Sequence, residues 1–535
     1  MSAAPAVSAR AWPSPDAEHL LVSSQQMAEL EEQLFASGLP VEALMEKAAL
    51  AVVQRLRQPD WWQPLQQLGA LVLVGPGHNG GDGLVVAREL HLAGIAVRIW
   101  SPFERHKPLT AAHARHARWL GIETLTQPPE PGDPAIWIDA LFGIGQRRAP
   151  GEAIEALLAL RQQERPGQLV AIDGPSGLCA DTGQPLGAVA ACAALSLAIG
   201  LVKQGWLQDA ALRWLGRLER IDLALPAPLL RSLPPGQPLA LGPRDLRDAP
   251  WPKADPAASK YARGRLLVIA GSPAYRGAAQ LALLGASASG CGSLRAALPA
   301  VVAEQLWSVQ PHVVLSASLT GGTAGGLALD GLPASGLERL DAVLLGPGLG
   351  ELTAAEASRE EACWQQLQDF AGLLLLDADG LNRLAQRDPI TWLQGRGGPT
   401  WLTPHHGEFE RLFPQLAALP PLQAAAEAAA RSSGTHGCSV LLKGAHTVVA
   451  AADGRRWQLR QTCPAAARAG LGDVLAGYAA GLGARSLAAA AGADAGLLAL
   501  AALSHASAGQ EAANSHGQGG ATAMTIAASL GTITQ

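Results

Sequence analysis

Short apolar runs alternate with helical patterns along most of this 535-residue chain. Most runs end in glycine or a polar residue, which is typical of buried parallel strands whose carboxyl ends carry a site. The first part of the chain contains ALVLVG, AVRIWS, AIWIDALF, LVAIDGPSG and AALSLAIG, and the second part contains RLLVIAGS, AVLLGPGLG, LLLLDADGLN, TWLTPHHGE and SVLLKGAHT. The pattern predicts two α/β units, each built on a mostly parallel sheet.

A proline-rich segment over residues 226–263 separates the two series and has no clear period. A chain of this length is also too long for a single core. We therefore predict an N-terminal domain over residues 1–228, a connection over residues 229–257 and a C-terminal domain over residues 258–535.

The composition limits the classes of partner. Hydrophobic residues make up 48% of the chain and charged residues 16%, which is typical of a folded globular protein. The formal net charge is only −5, which gives no reason to expect nucleic acid or an anionic membrane surface. We therefore predict no nucleic-acid partner and no membrane partner.

Neither the cysteines nor the N-terminus indicates secretion. The six cysteines form no C-x-x-C pair, which favours free thiols in a cytoplasmic protein. The first residues, MSAAPAVSARAWPSPD, lack the apolar stretch of a signal peptide. The most membrane-like run, residues 486–503, is rich in alanine and contains Asp494, so we predict one buried helix there.

The segment GPGHNGGDG, residues 75–83, places five glycines directly after a predicted strand. A helix is predicted to follow over residues 83–94, ended by Gly94. Free N–H groups and the dipole at a helix N-terminus form an anion site, and glycine lets a ligand approach the backbone. The alternative is a tight turn without a ligand, although such a turn needs only about one or two glycines.

Two aspartates end predicted strands in the first part: Asp139 ends AIWID and Asp173 ends LVAID. Each could simply cap the next helix. Because the carboxyl ends of parallel strands share one sheet edge, we expect both to converge with Asn79, Asp82 and Ser176. Oxygen ligands of this kind suit a hard cation or a polar substrate, and a buried aspartate near an anion site is a candidate general acid or base.

A second glycine loop lies in ARAGLGDVLAGYAAGL, residues 467–482. Gly470 and Gly472 open a predicted helix whose N-terminal amides can bind an anion. Asp473 stands in the first turn, close enough to take a proton from a hydroxyl next to a phosphate. The alternative is an ordinary aspartate at the start of an alanine-rich helix.

The N-terminal part resembles the NAD(P)H-hydrate epimerases over about residues 20–225. The likeness rests on NGGDGLVVAREL, DALFGIG and IDGPSG, with LMEKAA and SLAIGLVKQG (which contains Lys203) as further segments. It implies a Rossmann-like three-layer α/β/α domain with Asp173 as acid/base and a potassium ion held by Asn79, Asp139 and Ser176. The implied substrate contacts are His78, Asn79, Gly80, Gly81, Asp82 and Asp173, with a closing loop of Gly143, Ile144, Gly145, Gln146, Arg147, Arg148 and Ala149.

The C-terminal part, from about residue 258, is similar to the ADP/ATP-dependent NAD(P)H-hydrate dehydratases. GSPAYRGAA, GPGLG, DADGLN, TPHHGE, KGAHT and GLGD follow in the order of that family. The resemblance implies a ribokinase-like α/β domain with Asp473 as catalytic base. The implied substrate contacts are Ala278, Gly348, His405 and Asp473, and the implied adenine-nucleotide contacts are Lys443, Gly444, Ala445, His446, Thr447 and Gly472.

Together the two resemblances imply the repair of hydrated NADH and NADPH by a homo-oligomer. The hydrate carries a hydroxyl at ring carbon 6, and phosphorylation turns this poor leaving group into a good one. ADP with magnesium would supply the phosphoryl group, giving AMP and phosphate, although the sequence alone does not choose ADP over ATP. Only one epimer can present its hydroxyl to that site, which explains an epimerase upstream.

Two other interpretations stay open at the level of sequence. The C-terminal domain could be an ordinary small-molecule kinase fused to a nucleotide-binding module, which would release a stable phosphorylated product. The N-terminal domain could be a binding or scaffold module, although a scaffold needs none of Asn79, Asp139, Asp173 and Ser176.

Overall fold

The computed structural model describes residues 12–253, 255–332 and 335–533. It divides into two compact units, one from Ser14 to Leu239 and one from Ala240 onward that includes Trp12 and Pro13. The predicted bounds of domains and connection stay predictions.

A seven-stranded parallel sheet forms the centre of the N-terminal unit. The strands of the unit are β1 (Leu21–Val22), β2 (Ala70–Val74), β3 (Val97–Trp100), β4 (Glu123–Leu125), β5 (Ile136–Ala140), β6 (Leu169–Ile172), β7 (Leu195–Ile199), β8 (Val202–Lys203) and β9 (Arg217–Ile221). The helices are α1 (Ser24–Ala36), α2 (Val41–Leu56), α3 (Pro59–Leu68), α4 (His78–Leu92), α5 (Pro108–Trp119), α6 (Glu152–Glu164), α7 (Leu212–Leu215) and α8 (Ala227–Leu230). The sheet order is β4-β3-β2-β5-β6-β7-β9, and β1 pairs with β8 separately.

Helices cover both faces of this sheet, which is why its central strands β2, β5, β6 and β7 are fully buried. Val72 and Ile138 pack in one hydrophobic cluster with residues of α2 and α4, whereas Leu73 and Trp137 pack in another with residues of α6. The Rossmann-like three-layer α/β/α prediction is confirmed.

The C-terminal unit contains a ten-stranded sheet. Its strands are β10 (Leu239–Leu241), β11 (Arg265–Ile269), β12 (Ser293–Pro299), β13 (Val314–Leu319), β14 (Ala342–Leu345), β15 (Leu373–Leu376), β16 (Thr400–Leu402), β17 (Cys438–Leu442), β18 (Val448–Ala450) and β19 (Arg456–Leu459). The helices are α9 (Arg276–Ala288), α10 (Ala300–Ala303), α11 (Leu306–Val309), α12 (Ala354–Arg359), α13 (Glu361–Asp369), α14 (Asp379–Ala385), α15 (Pro389–Gln394), α16 (His406–Leu412), α17 (Pro421–Ser432), α18 (Leu471–Ala488), α19 (Ala495–His516) and α20 (Ala523–Ile533). The order is β10-β19-β18-β17-β16-β15-β14-β11-β12-β13, with parallel pairing from β17 to β13.

Glycines let α18 pack closely on its neighbours and so position Asp473 at its start. A Cβ at Gly477 would lie 1.9 Å from the Ala282 carbonyl oxygen of α9, and one at Gly483 would lie 2.2 Å from Leu373 Cδ2 of β15. Larger residues at these two positions would push the helix off the sheet. The predicted α/β class of this unit is confirmed.

Helix α4 begins at His78, earlier than the predicted start at residue 83, so that prediction was wrong. Gly80, Gly81 and Gly83 therefore lie inside the helix. A Cβ at Gly80 would lie 2.1 Å from the Gly75 carbonyl oxygen, and one at Gly83 would lie 2.5 Å from Ala140 Cβ. Close packing against β2 and β5 outweighs the low helix propensity of glycine.

The alanine-rich run over residues 486–503 is divided between two helices rather than forming one. α18 ends at Ala488 and α19 begins at Ala495. Asp494 caps α19 by accepting a hydrogen bond from the Gly496 N–H at 2.7 Å, so this aspartate marks a helix start. In the described parts of the chain, no helix is long and apolar enough to span a bilayer.

The proline-rich segment contains regular structure. It includes α8, β10 and a 3-10 helix over Pro243–Leu246. β10 forms the edge of the ten-stranded sheet beside β19, and Leu241 accepts a hydrogen bond from the Arg460 N–H at 2.8 Å. Weak periodicity in the sequence therefore reflects short elements, not an absence of structure.

Candidate functional site

The N-terminal sheet reverses its strand order between β2 and β5. The chain runs outward from β2 to β3 and β4, then returns to β5 and runs the other way through β6 and β7 to β9. At such a point the loops after two neighbouring strands run to opposite faces of the sheet, and a crevice forms between them. Ligands of open α/β sheets bind in this crevice. The glycine loop follows β2 and Asp139 lies in β5, so the structure brings the predicted elements to the expected place.

Asp139 and Ser176 are in direct contact. Asp139 is fully buried and accepts hydrogen bonds from Ser176 N (2.8 Å), Ser176 Oγ (2.7 Å) and Leu141 N (3.2 Å). Burial raises the pKa of this carboxyl, whereas the hydrogen bonds oppose the rise. Among the described residues, no cationic side chain pairs with Asp139.

Asn79 adds an unsatisfied oxygen to this region. Its side-chain amide oxygen and nitrogen are buried and have no hydrogen-bond partner among the described residues. A Cβ at Gly143 would lie 3.3 Å from Asn79 Cβ, and the residue before it, Phe142, donates its N–H to Ser176 Oγ at 3.1 Å. A buried carboxylate beside an unpaired amide oxygen and a hydroxyl oxygen fits a hard cation such as potassium.

Asp173 is held by a buried lysine. Lys203 is fully buried, and its Nζ donates to Asp173 Oδ1 at 2.7 Å and to the Ile199 carbonyl oxygen at 2.9 Å, above the Trp206 ring. The Ile199 N–H donates to the same Asp173 oxygen at 3.2 Å. The other oxygen, Oδ2, faces Gly143, whose Cβ would lie 3.6 Å away. One carboxylate oxygen is thus anchored while the other faces the closing loop.

The predicted substrate residues of the glycine segment have different environments. His78 is exposed as a whole residue, but its imidazole is partly removed from solvent. This partial desolvation, together with the charge of Lys107, lowers the pKa of His78. Gly80 and Gly81 are buried against Gly75 and Met45, so their side-chain faces pack on protein. Their predicted contact with substrate stays a prediction, and only their backbone groups could make it.

The closing loop is tied down by one side chain. Gln146 Nε2 donates to the Pro175 and Leu178 carbonyl oxygens, both at 3.2 Å, and its Oε1 accepts from Gly177 N at 2.7 Å. The remaining predicted loop residues are exposed or half-buried: Gly143, Ile144, Gly145, Arg147, Arg148 and Ala149. Gln146 therefore positions a loop whose arginines stay available to an anionic ligand.

The C-terminal sheet reverses its strand order between β11 and β14. Two predicted substrate residues meet there: a Cβ at Gly348 would lie 2.6 Å from Ala278 Cβ. Gly348 has φ +63°, which favours glycine. The switch point of this unit therefore presents backbone and small side chains.

The charged groups of the C-terminal unit lie further along the sheet, at the ends of β15, β16 and β17. Lys443 Nζ donates to Asp377 Oδ1 at 2.8 Å and lies 3.8 Å from Glu408 Oε2. A Cβ at Gly472 would lie 3.4 Å from Lys443 Nζ and 3.9 Å from Asp377 Oδ2. The helix start that carries Asp473 thus faces this lysine, so Lys443 and Gly472, both predicted to bind the adenine nucleotide, lie close together.

Asp473 has a raised pKa. Burial and the negative charge of Asp377 raise the pKa of Asp473 to about 7, while the Lys443 charge opposes the rise. Gly470, with φ +87°, caps the helix directly before it. A carboxyl with this pKa at a helix N-terminus suits a general base at neutral pH.

The remaining predicted nucleotide and substrate residues surround this cluster. His405 caps α16: its Nδ1 accepts from the Gly407 and Glu408 N–H groups at 3.0 and 3.3 Å, and its Nε2 lies 3.1 Å from Glu408 Oε1. His446 is buried, whereas Gly444 and Ala445 are exposed. Thr447 Oγ1 donates to the Gly444 carbonyl oxygen at 3.1 Å and closes the turn after β17.

Comparison with known proteins covers both units. A family model described as NAD(P)H-hydrate dehydratase matches residues 266–531, and one described as YjeF-related protein N-terminus matches residues 41–205. The bifunctional NAD(P)H-hydrate repair enzyme of Gloeobacter violaceus is 42% identical over 463 residues, covering 85% of this chain and 87% of that protein. This chain belongs to the family of bifunctional NAD(P)H-hydrate repair enzymes.

Other members of the repair-enzyme family show similar likeness. The protein of that name from Synechocystis is 42% identical over 462 residues, covering 85% of this chain and 84% of that protein. Among solved structures, the ADP/ATP-dependent NAD(P)H-hydrate dehydratase of Bacillus subtilis, co-crystallised with ATP and magnesium, matches with a TM-score of 0.43 and 24% identity. That match covers 55% of this chain and 96% of the other.

Three charged residues close to the two candidate sites were not predicted from the sequence: Glu31, Asp377 and Glu408. Asp377 and Glu408 belong to DADGLN and TPHHGE, and their positions after strands could have identified them. Glu31 had no such signal, because it lies in an ordinary amphipathic helix among other glutamates. Burial and the Asp173 charge raise the pKa of Glu31 to about 7, against the opposing charges of Lys203 and Lys107.

Proposed function

We propose that this protein repairs hydrated NADH and NADPH, with the N-terminal unit interconverting the (R) and (S) epimers and the C-terminal unit dehydrating the (S) epimer. One observation carries the proposal: both units match the repair-enzyme family, and each holds its predicted acid/base aspartate beside glycines, Asp173 opposite Gly143 and Asp473 in the helix turn that follows Gly470. A scaffold would need neither aspartate, so the two alternatives become outcomes of the test.

In the C-terminal unit, Asp473 takes the proton of the carbon-6 hydroxyl as that oxygen attacks the terminal phosphoryl group of ADP. The amides at the start of α18, including Gly472, bind the phosphoryl oxygens, and Lys443 neutralises their charge. Magnesium enters on the nucleotide phosphates as part of the co-substrate, and AMP leaves. The ring nitrogen lone pair then expels phosphate, and loss of the neighbouring proton restores the dihydronicotinamide.

The small residues at the switch point fit the ring-bearing half of the substrate. Ala278 and Gly348, which pack against each other at the switch point, contact the hydrated nucleotide together with His405, and the Lys443–Thr447 turn binds the adenine nucleotide. Gly444, Ala445 and His446 complete that turn. ADP is the phosphoryl donor implied by the family resemblance, and ATP is the comparison donor in the assay.

In the N-terminal unit, Asp173 acts as acid/base at carbon 6, and residues 78–82 with the loop 143–149 hold the dinucleotide. Asn79, Asp139 and Ser176 would hold a potassium ion, which would supply a positive charge to the site when bound. The buried, unpaired Asn79 amide and the buried Asp139 carboxylate support this assignment.

One assay tests the proposal. The full chain is mixed with the separate epimers of hydrated NADH, ADP or ATP, magnesium and potassium, and absorbance of the dihydronicotinamide is followed. We expect NADH from both epimers with the nucleotide and none without it. A stable phosphorylated product would support the kinase alternative, and turnover of the (S) epimer only would support the scaffold alternative. The homo-oligomeric state and the cytoplasmic location stay predictions.

A further inference from the structure

The epimerase region holds more ionisable groups than the proposed function uses. Asp173, Lys203 and Glu31 interact with one another, and Asp82 interacts with both acids. Burial raises the pKa of Asp82 well above its usual range, and the charges of Asp173 and Glu31 add to the rise. Among these groups, Lys203 is the cation in direct contact with a carboxylate.

The fold brings α1 over this region through strand pairing. Val22 lies opposite Lys203 in the β1–β8 pair, and α1 begins directly after β1. One helical turn before Glu31, Met27 packs on Gly200, where a Cβ would lie 2.7 Å from Met27 Cε. Glu31 therefore stands on the side of α1 that faces the end of β7, where Asp173 is anchored.

Asp173 has only one carboxylate oxygen that faces the closing loop. Its Oδ1 takes hydrogen bonds from the Lys203 ammonium and the Ile199 N–H, whereas its Oδ2 lies on the side of Gly143. Inversion at carbon 6 requires the hydroxyl to leave, and a hydroxyl leaves readily only as water. A second group must supply that proton.

We propose that Glu31 is the proton donor of the epimerase site and that Lys203 positions Asp173 as the acceptor. This inference rests on the proposed epimerase function. The two carboxyl groups share one region but differ in partners: Asp173 is bound to the ammonium, whereas no hydrogen bond or ion pair to Glu31 is found in the described residues. A pair of acids with unlike environments is how enzymes separate acid and base roles.

Inversion at carbon 6 proceeds by loss and re-addition of water. The C6–O bond breaks, its electron pair stays on oxygen, and that oxygen takes the Glu31 proton and leaves as water. The ring nitrogen lone pair forms the C6=N bond, and the Asp173 carboxylate stabilises the cation. Water then adds from the other face, its excess proton goes to Asp173, and the C6=N electron pair returns to nitrogen. Proton exchange with solvent restores Glu31 and Asp173, so no co-reactant is consumed.

The test uses the full chain and both epimers with ADP, magnesium and potassium. Formation of NADH from the (R) epimer requires both units, whereas formation from the (S) epimer requires only dehydration. We expect Glu31→Gln to slow (R) conversion by about 100-fold, the scale of general acid help, and to leave (S) conversion unchanged. Glu32→Gln, at the exposed neighbouring position, is the matched control and should behave as wild type.

The pH profile separates proton donation from a structural role. Glu31 donates only while protonated, so the wild-type rate of epimer interconversion, followed without nucleotide, should fall as pH rises through about 7. Lys203→Met removes a charge that lowers the pKa of Glu31, so the fall should move to higher pH. Equal (R) rates for Glu31→Gln and Glu32→Gln, or a wild-type profile without this alkaline fall, would overturn the inference while leaving epimerisation itself in place. Loss of conversion for both epimers in wild type would instead refute the proposed function.

Discussion

The two candidate sites use an aspartate–lysine pair differently. In the N-terminal unit, buried Lys203 binds Asp173, the proposed acid/base, at 2.7 Å. In the C-terminal unit, Lys443 binds Asp377 at 2.8 Å, and the proposed base, Asp473, keeps a pKa of about 7. The lysine of the N-terminal unit therefore occupies one oxygen of the proposed catalytic carboxylate, whereas the lysine of the C-terminal unit binds an aspartate other than the proposed base.

The two sheets also differ in the groups that lie where their strand order reverses. Between β2 and β5, the edge carries the buried Asp139 carboxylate and the unpaired Asn79 amide. Between β11 and β14, it carries Ala278 and Gly348, and the charges stand at β15 to β17. The polar groups of the N-terminal candidate site therefore lie at the switch point, whereas those of the C-terminal candidate site lie further along the sheet edge.

The largest expected effect is at Asp473, the proposed base that, unlike Asp173, has no hydrogen bond to a lysine in the described residues. Asp473→Asn should lower turnover of the (S) epimer by about 100-fold or more, because the lost proton transfer belongs to the transition state. Nucleotide affinity, measured by calorimetry, should stay close to wild type. Lys443→Ala should show the opposite pattern, with weak nucleotide binding, and Asp453→Asn on the surface serves as control. Normal (S) turnover by Asp473→Asn would exclude the kinase-like elimination.

Asp173→Asn tests the aspartate that is hydrogen-bonded to Lys203. The neutral amide keeps the shape but cannot accept a proton, so conversion of the (R) epimer should fall by about 100-fold. Conversion of the (S) epimer by the same sample is the internal control and should not change. An unchanged (R) rate would show that Asp173 is not the acid/base.

The two glycine loops should differ in what they support. Gly80→Ala introduces a Cβ 2.1 Å from the Gly75 carbonyl oxygen, and we expect a loss of about 1–3 kcal/mol in the free energy of unfolding, measured by denaturant titration. Gly77→Ala in the same segment meets nothing within 4 Å and should be nearly neutral. Gly472→Ala should instead keep stability and weaken nucleotide binding, because its Cβ would face Lys443 Nζ. Equal stability of the Gly80 and Gly77 variants would contradict this account.

The pH dependence of the two half-reactions should have opposite signs. Asp473 acts while ionised, so kcat/KM for the (S) epimer should rise with pH through about 7, where its pKa lies. Asp377→Asn removes a charge that raises this pKa, so the rise should move to lower pH. A profile that is flat across this range would show that Asp473 does not limit the rate.

The smallest expected effect is on the closing loop of the N-terminal unit. Gln146→Ala removes three hydrogen bonds that tie the loop to the Pro175–Leu178 backbone. We expect KM for the (R) epimer to rise by roughly threefold to tenfold, since each hydrogen bond contributes about 1 kcal/mol and a mobile loop can still close. Gln184→Ala, outside the loop, is the control; an unchanged KM would mean that Gln146 does not position the loop.

Local pattern determined the α/β class, the strands and the strand-end positions of the main site residues. An apolar run reports burial, and the residue that follows it reports the sheet edge, so Asp139, Asp173 and the Gly472 loop were accessible to sequence reasoning. The same pattern predicted the wrong start for α4. The helix includes Gly80 because this glycine packs closely on Gly75, and that contact cannot be read from the local pattern.

Only the tertiary structure decided which carboxyl groups are paired with a cation and which are not. Glu31 looks like its helical neighbours in sequence, and its pKa is raised by burial and by the charge of Asp173 from a distant part of the chain, against the opposing charge of Lys203. His405 likewise uses its Nδ1 to cap α16 by accepting a hydrogen bond from the Gly407 N–H, a contact that the sequence did not predict. The ionisation of a side chain depends on burial and on charges within a few ångströms, and those neighbours are set by the fold rather than by the adjacent residues.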